Sequence, residues 1–519
     1  MTRATHTLGP ARTTSGFIRA AHYFSDCSMT NFWSTFRAHR VGADLRAIAA
    51  DGFSHIILIL PWAQFHTTLD DPALCPAMCR RLDHIFTEAD RAGLNVILRV
   101  GYLWENAPAR QSTFQRYRHL PTSPGHQAAW HRYHALVRAE AQRHANFAFA
   151  FLSWEDFFWP LFRGFAGADE ATRLRHATDT GYQDFLARRY TIETYRSLYN
   201  STATSFAEIP VPAFATPEIW DYADFFDGVM VDRFCNLARA AHPGIEYEGR
   251  IDVNPFPTPA GTGTRIYPWK LVRNGYVRPV SYFHAHLGAT SRETLTADRA
   301  IARLKWLLSQ YSLLAHGGHR VFIDQFNFVT RNPDYAHFSQ IDDGELATFL
   351  DQSRDLLRSR TSGYGVWGYR DWTNDKIFNG AFEFGLDGWS TTAELTRDTD
   401  TGQRVLTLHA GEVLEQEMFQ NLTRNALLHL ACRTDRGADL TITLDGTAIS
   451  QVSLAAGTTA QDYPLGAPVR RSLRIECLRG ALGIKRIGLF DHVFSSGMYA
   501  RDGSERAAVR SVRRINAGD

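Results

Sequence analysis

The sequence predicts an α/β chain in which a (β/α)8 TIM barrel is followed by an all-β, jelly-roll-like sandwich. Three observations carry this. Eight short apolar runs alternate with amphipathic helical segments between Phe17 and Trp372, the pattern of a closed parallel sheet wrapped in helices. At 519 residues the chain is too long for a single core. After Trp372 the pattern changes to short alternating strands separated by Asp/Gly turns, as in a sandwich. The expected division is an N-terminal extension (1–16), a barrel (17–375), a sandwich (376–492) and a polar, basic tail (493–519). The tail is either mobile or a strap over the surface.

The barrel strands read as FIRAAHYF (17–24), HIILILPW (55–62), NVILRVGY (95–102), FAFAFLSW (147–154), IEYEGRID (245–252), VSYFHAH (280–286), VFIDQFNF (321–328) and YGVWGYRDW (364–372). Helical segments fall between them at Gly42–Asp51, Cys79–Ala92, Gln127–His144, Ile219–Ala241, Ala297–Ala315 and Asp342–Arg360. Gly52 and Gly93 suit left-handed helix ends before a strand. A doubly wound open sheet would carry a glycine-rich loop after its first strand, and AHYFSDCSM has none. Residues 161–218 read as a largely helical insertion. Residues 253–279, rich in Pro and Gly and carrying Tyr267, Trp269 and Lys270, read as a long loop packed as a lid.

Composition narrows the function. A formal net charge of +2, from 56 basic and 54 acidic residues, argues against a nucleic-acid footprint. No run reaches the length of a membrane span, and no secretory signal is visible. The expectation is therefore a cytoplasmic location, with non-classical export or surface association as the alternative. Six cysteines do not make a disulfide framework. Cys75 and Cys79 lack a nearby pair to complete a metal site and read as free thiols. Cys432 and Cys477 would pair only outside the cytosol. No metal and no cofactor is expected. Aromatic content of 13%, with 12 Trp, suits the apolar faces of sugar rings as well as large cores.

The residues with chemistry collect at strand ends. FAFAFLSWEDFFWP, in the fourth strand, runs from an apolar stretch into two adjacent acids, Glu155 and Asp156. In the fifth strand Glu246, Glu248, Arg250 and Asp252 alternate with Ile245, Tyr247 and Ile251. The outer face of a barrel meets apolar helices, so the charged series points into the lumen, where Arg250 needs a carboxylate partner. Further inward candidates are Arg99, Tyr282, His284, His286, Asp324, Gln325, Arg370 and Asp371. Acids on several strands, with aromatics and no metal motif, suit carboxylate acid/base work.

Three segments resemble the clan A retaining glycoside hydrolases, which include cellulases, β-galactosidases and β-xylosidases. FLSWEDFFWP resembles the strand-four motif that presents the acid/base glutamate. RVFIDQFNF resembles the strand-seven motif that presents the nucleophile. GYGVWGYRDW resembles the strand-eight motif, whose Trp, here Trp367, lines the sugar subsite. IFNGAFEFGLDGW, at the start of the second domain, resembles the opening of jelly-roll carbohydrate-binding modules. The resemblance implies a glycosidase cleaving O-glycosidic bonds of a poly- or oligosaccharide, with a carbohydrate as its partner. Two departures matter. The strand-four acid is Glu155 or Asp156 according to a one-residue slip, and its longer arm favours Glu155. The nucleophile position is held by Gln325, and an amide cannot take that role. Asp324 through a bulge, or Glu248, would then be the second carboxylate. The remaining readings are an introduced Glu→Gln change and a glycan-binding protein on a degenerate barrel. Trp62, Trp104, Trp154, Trp269 and Trp367 are the expected stacking platforms. Arg99, Arg250, Tyr282, His284 and Gln325 are the expected polar contacts to substrate.

Overall fold

The computed structural model describes residues 16–25, 28–105, 112–258, 261–267, 279–284, 293–314, 319–329, 331–336, 339–398 and 402–517; for 251–258, 261–267, 313–314 and 335 only the backbone is described. Eight parallel strands form the barrel: β1 (Ile18–His22), β2 (His55–Pro61), β3 (Asn95–Tyr102), β4 (Phe147–Ser153), β5 (Glu246–Thr258), β6 (Val280–His284), β7 (Val321–Asn327) and β8 (Thr361–Val366). Each pairs with its sequence neighbour. β1 pairs with β8 and β4 with β5, so the sheet closes. Closure leaves the barrel strands no open edge.

Period-two alternation sorts the side chains. Ile18, Ala20, Ile57, Ile97, Phe149, Phe151, Val280 and Phe322 form a small core of their own, at the end of the lumen where the strands begin. The opposite faces of the strands join the large core beneath the helices. Two residues further along several of these strands come His22, Arg99, Ser153, Tyr282 and Asp324. The apolar plug therefore forms the floor of a polar layer at the carboxyl ends of the strands.

Several elements differ from the sequence reading. The fifth strand does not stop at Asp252. It continues to Thr258 and returns as an antiparallel strand, Gly261–Tyr267, so the start of the expected lid loop is a hairpin arm. Pro255 and Pro257 are tolerated because such an arm needs few ladder donors. Trp269 and Lys270 lie outside the described residues. The Ile219–Ala241 helix is interrupted by a π-turn at Phe226–Val231. β8 begins three residues before the expected start and ends well before Trp372.

The second region is built from antiparallel sheets around the long strand Ser472–Phe490, which pairs with four other strands. Its core is separate from that of the barrel. Cys75, Cys79, Cys235, Cys432 and Cys477 are all free thiols. The basic tail is a strap: the helix Ala508–Ala517 buries Val509, Val512 and Ile515 against the barrel core. Among the described residues, no helix is long and apolar enough to cross a membrane.

Candidate active site

The fourth strand ends at Ser153, and a helical turn, Trp154–Phe157, follows at once. The Ser153 hydroxyl caps that turn by accepting from the Glu155 N–H, at 3.2 Å. A helical turn sends neighbouring residues in different directions, so the two acids separate. Asp156 points inward and is 1% exposed, whereas the Glu155 side chain is 28% exposed. Arg99, from β3, lies between them. Its Nε donates to Asp156 at 3.2 Å and its terminal nitrogen to Glu155 at 3.3 Å. The Leu103 N–H donates to the other Asp156 oxygen at 2.9 Å. Asp156 thereby ties the turn after β4 to the loop after β3.

Glu248 stands opposite Ser153 in the β4–β5 ladder. It is buried, and neither of its oxygens accepts a well-formed hydrogen bond among the described residues. Burial pushes it up to about 7. Arg99 and the Ser153 hydroxyl oppose that shift, while Glu155 and Asp156 reinforce it. Burial likewise lifts Asp156 to about 6, against the pull of Arg99. Asp324 is raised well above the ordinary carboxylate range, by burial first and by Glu248 next. Burial opposes the Arg99 charge, but Asp156, Glu248 and Glu155 outweigh it. With four acids around one buried guanidinium, the site holds some of its carboxyl groups protonated at neutral pH. His22, on β1, is pushed down to about 3 by burial and then by Arg99. Its Nε2 lies 2.9 Å from the Asp324 carbonyl, so the neutral ring carries its proton there.

The seventh strand carries a bulge. Ser281 faces Ile323 and Tyr282 faces Gln325, so Asp324 is skipped in the β6–β7 register. The β8 register breaks at the same place. The extra residue reverses the alternation. Phe322 and Asp324 face the lumen, and Gln325 follows on the mouth side, where its Oε1 lies 3.1 Å from His284 Nε2. Gly365 makes room for this. A Cβ there would sit 2.7 Å from both the Asp324 carbonyl oxygen and Ile57 Cδ1, so the glycine lets the Asp324 carbonyl of β7 and the Ile57 side chain of β2 both close on β8.

No protein-family model matches the chain, and no curated protein matches it in sequence. Solved structures that it resembles include GH5_18 from Streptomyces cattleya in complex with GlcNAc, at 14% identity and a TM-score of 0.43, covering 69% of this chain and 72% of that one. Another is a β-galactosidase from the psychrophilic Marinomonas ef1, at 14% identity and 0.45, covering 68% and 54%. A third is the β-glycosidase BGL167, at 12% identity and 0.39, covering 76% and 94%. The structural neighbours are glycoside hydrolases.

The other residues singled out from the sequence divide into two groups. Around the mouth, the Arg250 Nε donates to the Tyr282 hydroxyl, and its guanidinium lies over the Tyr282 ring at 4.4 Å and the Trp154 ring at 5.4 Å. The cation that reaches Glu155 and Asp156 is Arg99. The Tyr282 and His284 rings meet edge-on at 4.8 Å. Trp367 is half-buried, edge-on to His22 at 4.7 Å. Trp104 is half-buried on the loop after β3. Away from the mouth, Trp62 is fully buried among Tyr117, Trp130 and Tyr133 and presents no open face. Trp154, under Arg250, is buried too and presents no open face, its indole N–H donating to Asp227 at 3.0 Å. Asp371 accepts from the Gly497 N–H and from Arg506, so it anchors the C-terminal strap rather than facing the lumen. Arg370 approaches Asp44 at 4.0 Å. Trp269, His286 and the Asp252 side chain lie outside the described residues. Sequence reasoning passed over His22, Ser153 and Trp159. Strand parity, counted on from Ala20 and Phe151, would have found the first two. Among the described residues, no three His, Cys, Asp or Glu side chains are grouped to hold a metal ion.

Proposed function

We propose that the barrel is a glycoside hydrolase that cleaves O-glycosidic bonds in an oligo- or polysaccharide, with Glu155 as the carboxyl group that meets the scissile bond. One observation carries this. Of the four acids in the lumen cluster, Glu155 alone reaches solvent; Asp156, Glu248 and Asp324 are at most 1% exposed. Glycoside hydrolysis needs one ionised and one protonated carboxyl group flanking the bond. Arg99 donates to Glu155 at 3.3 Å, and Glu248, buried in the same cluster and raised to about 7, is the second carboxyl group of the pair. Asp156 positions the turn, and Asp324 lies deeper as the alternative second carboxyl.

The test is a panel of polysaccharides and oligosaccharides scored for released reducing ends, with the wild type beside Glu155→Gln and Glu248→Gln. Release by the wild type, lost in both variants, supports the pair. Release undiminished in Glu248→Gln transfers its role to Asp324. A second reading, glycan binding without hydrolysis, rests on Gln325, an amide bonded to His284 where the resemblance places a glutamate. It predicts binding without release by the wild type, and new release by Gln325→Glu.

A further inference from the structure

Trp159 is the one aromatic side chain among the described residues that stands out as exposed, at 37%. An indole left partly in water keeps apolar face available to an apolar ligand surface. It follows Glu155 by four residues, on the π-turn Phe158–Arg163 that continues the helical turn after β4. Residues four apart share a helix face, so Trp159 stands over the same side of the mouth as Glu155. π-turns recur at functional sites, where they re-aim a side chain.

Trp159 has a built partner. The Trp104 ring lies 5.6 Å away at 70°, and the two indoles form a corner. Trp104 is held there by its neighbour, because the Leu103 N–H is bonded to Asp156. The acid that flanks Glu155 thus also fixes the aromatic corner beside it. On another side the Arg163 guanidinium lies 5.7 Å from the Trp159 ring and 4.1 Å from the Phe214 ring, which limits how far the indole can swing. An exposed aromatic face, oriented by neighbours and adjacent to a carboxyl group, matches the apolar C–H face of a pyranose ring.

We infer that Trp159 and Trp104 form a sugar-binding subsite on the β3–β4 side of the mouth, next to the bond that Glu155 meets. The inference rests on the glycosidase reading and deepens it, since it assigns a substrate long enough to occupy a second ring position there. The corner binds a ring and takes no part in proton transfer.

The experiment measures binding separately from hydrolysis. Glu155→Gln serves as the background, with gluco-, manno-, galacto- and xylo-oligosaccharides of two to six units as probes, by titration calorimetry. Trp159→Ala in that background is expected to weaken binding about tenfold. Trp159→Phe keeps most of it, and disaccharides lose less than longer chains. In the otherwise wild-type enzyme, Trp159→Ala raises KM with kcat little changed. Trp104→Ala gives the same pattern if the corner acts as a unit. Equal affinity in Trp159→Ala and its parent overturns the subsite and leaves the glycosidase reading intact. If no probe is bound or cleaved by any variant, the sugar reading falls and the subsite with it.

Discussion

At the scale of single residues, the site turns on how two adjacent acids are parted. Glu155 and Asp156 are one residue apart in sequence, yet one is solvent-facing and the other is sealed beneath it against Arg99 and the Leu103 N–H. The sequence shows two acids after an apolar strand. It does not show that the strand ends at Ser153, and the direction of each acid depends on that single boundary. Side-chain length favours Glu155 in the sequence; in the structure Glu155 is the more exposed of the two. Glu248 gives a stability prediction. Its ordinary value of 4.5 is raised to about 7 in the fold, so between these values the folded chain holds a proton that the unfolded chain has released. Stability contributed by this group is full below about pH 4.5 and declines as pH rises to about 7, by up to about 3 kcal/mol. Buried histidines such as His22, pushed down to about 3, act in the opposite sense, so the comparison must be with a variant. Glu248→Gln is expected to gain stability on the wild type between pH 5 and pH 7.5 in thermal melts. Parallel curves would show that Glu248 is ionised in the fold.

At the scale of elements, β7 and β8 shape the polar layer together. The bulge at Asp324 brings two consecutive residues toward the lumen, Gly365 allows β8 to lie close under it, and Gly363 allows β8 to lie close to β1. A Cβ on Gly363 would meet the Ile18 carbonyl oxygen at 2.3 Å, and its φ of +152° suits glycine. Gly365→Ala is therefore expected to cost about 1–3 kcal/mol, read by denaturant unfolding with an unchanged m-value, and to weaken activity by displacing Asp324. Wild-type stability would show that the strands can part without loss. The alternation of strands and helices was legible because apolar runs and caps are local signals. The bulge was not, because it is a property of register with β6 and β8. Nor was the hairpin arm of β5, since Pro255 and Pro257 argue locally against a strand. The early start of β8 was hidden by the same glycines that make it fit.

At the scale of the whole molecule, the barrel and the sandwich are joined by more than the connecting chain. Arg81 donates to Glu383 at 2.9 Å, Gln420 to the Glu105 carbonyl at 3.3 Å, and Arg424 to Asp334 at 2.7 Å. The Trp372 and Phe494 rings, one on the barrel and one on the tail, stack at 3.8 Å. The C-terminal strap then returns to the barrel. Asn516 accepts from the Tyr364 hydroxyl at 2.6 Å and donates to the Asp51 carbonyl at 2.8 Å, while Arg513 pairs with the Asp51 carboxylate at 2.7 Å. The change of composition after Trp372 revealed the second region, but its docking depends on contacts between residues 90 to 315 apart, which no local pattern carries. Val512 is fully buried under the strap, so Val512→Asp is expected to destabilise the barrel by more than about 3 kcal/mol. Calorimetry of that variant should show a lowered barrel transition, and an unchanged melt would mean that the strap contributes nothing.

The central claim is that Glu155 meets the scissile glycosidic bond. It is tested most directly by the rate of reducing-end release from the best substrate of the panel, in the wild type and in Glu155→Gln, at equal melting temperature. The expected result is a loss of about 10²–10⁴-fold in the variant; an unchanged rate would contradict the account.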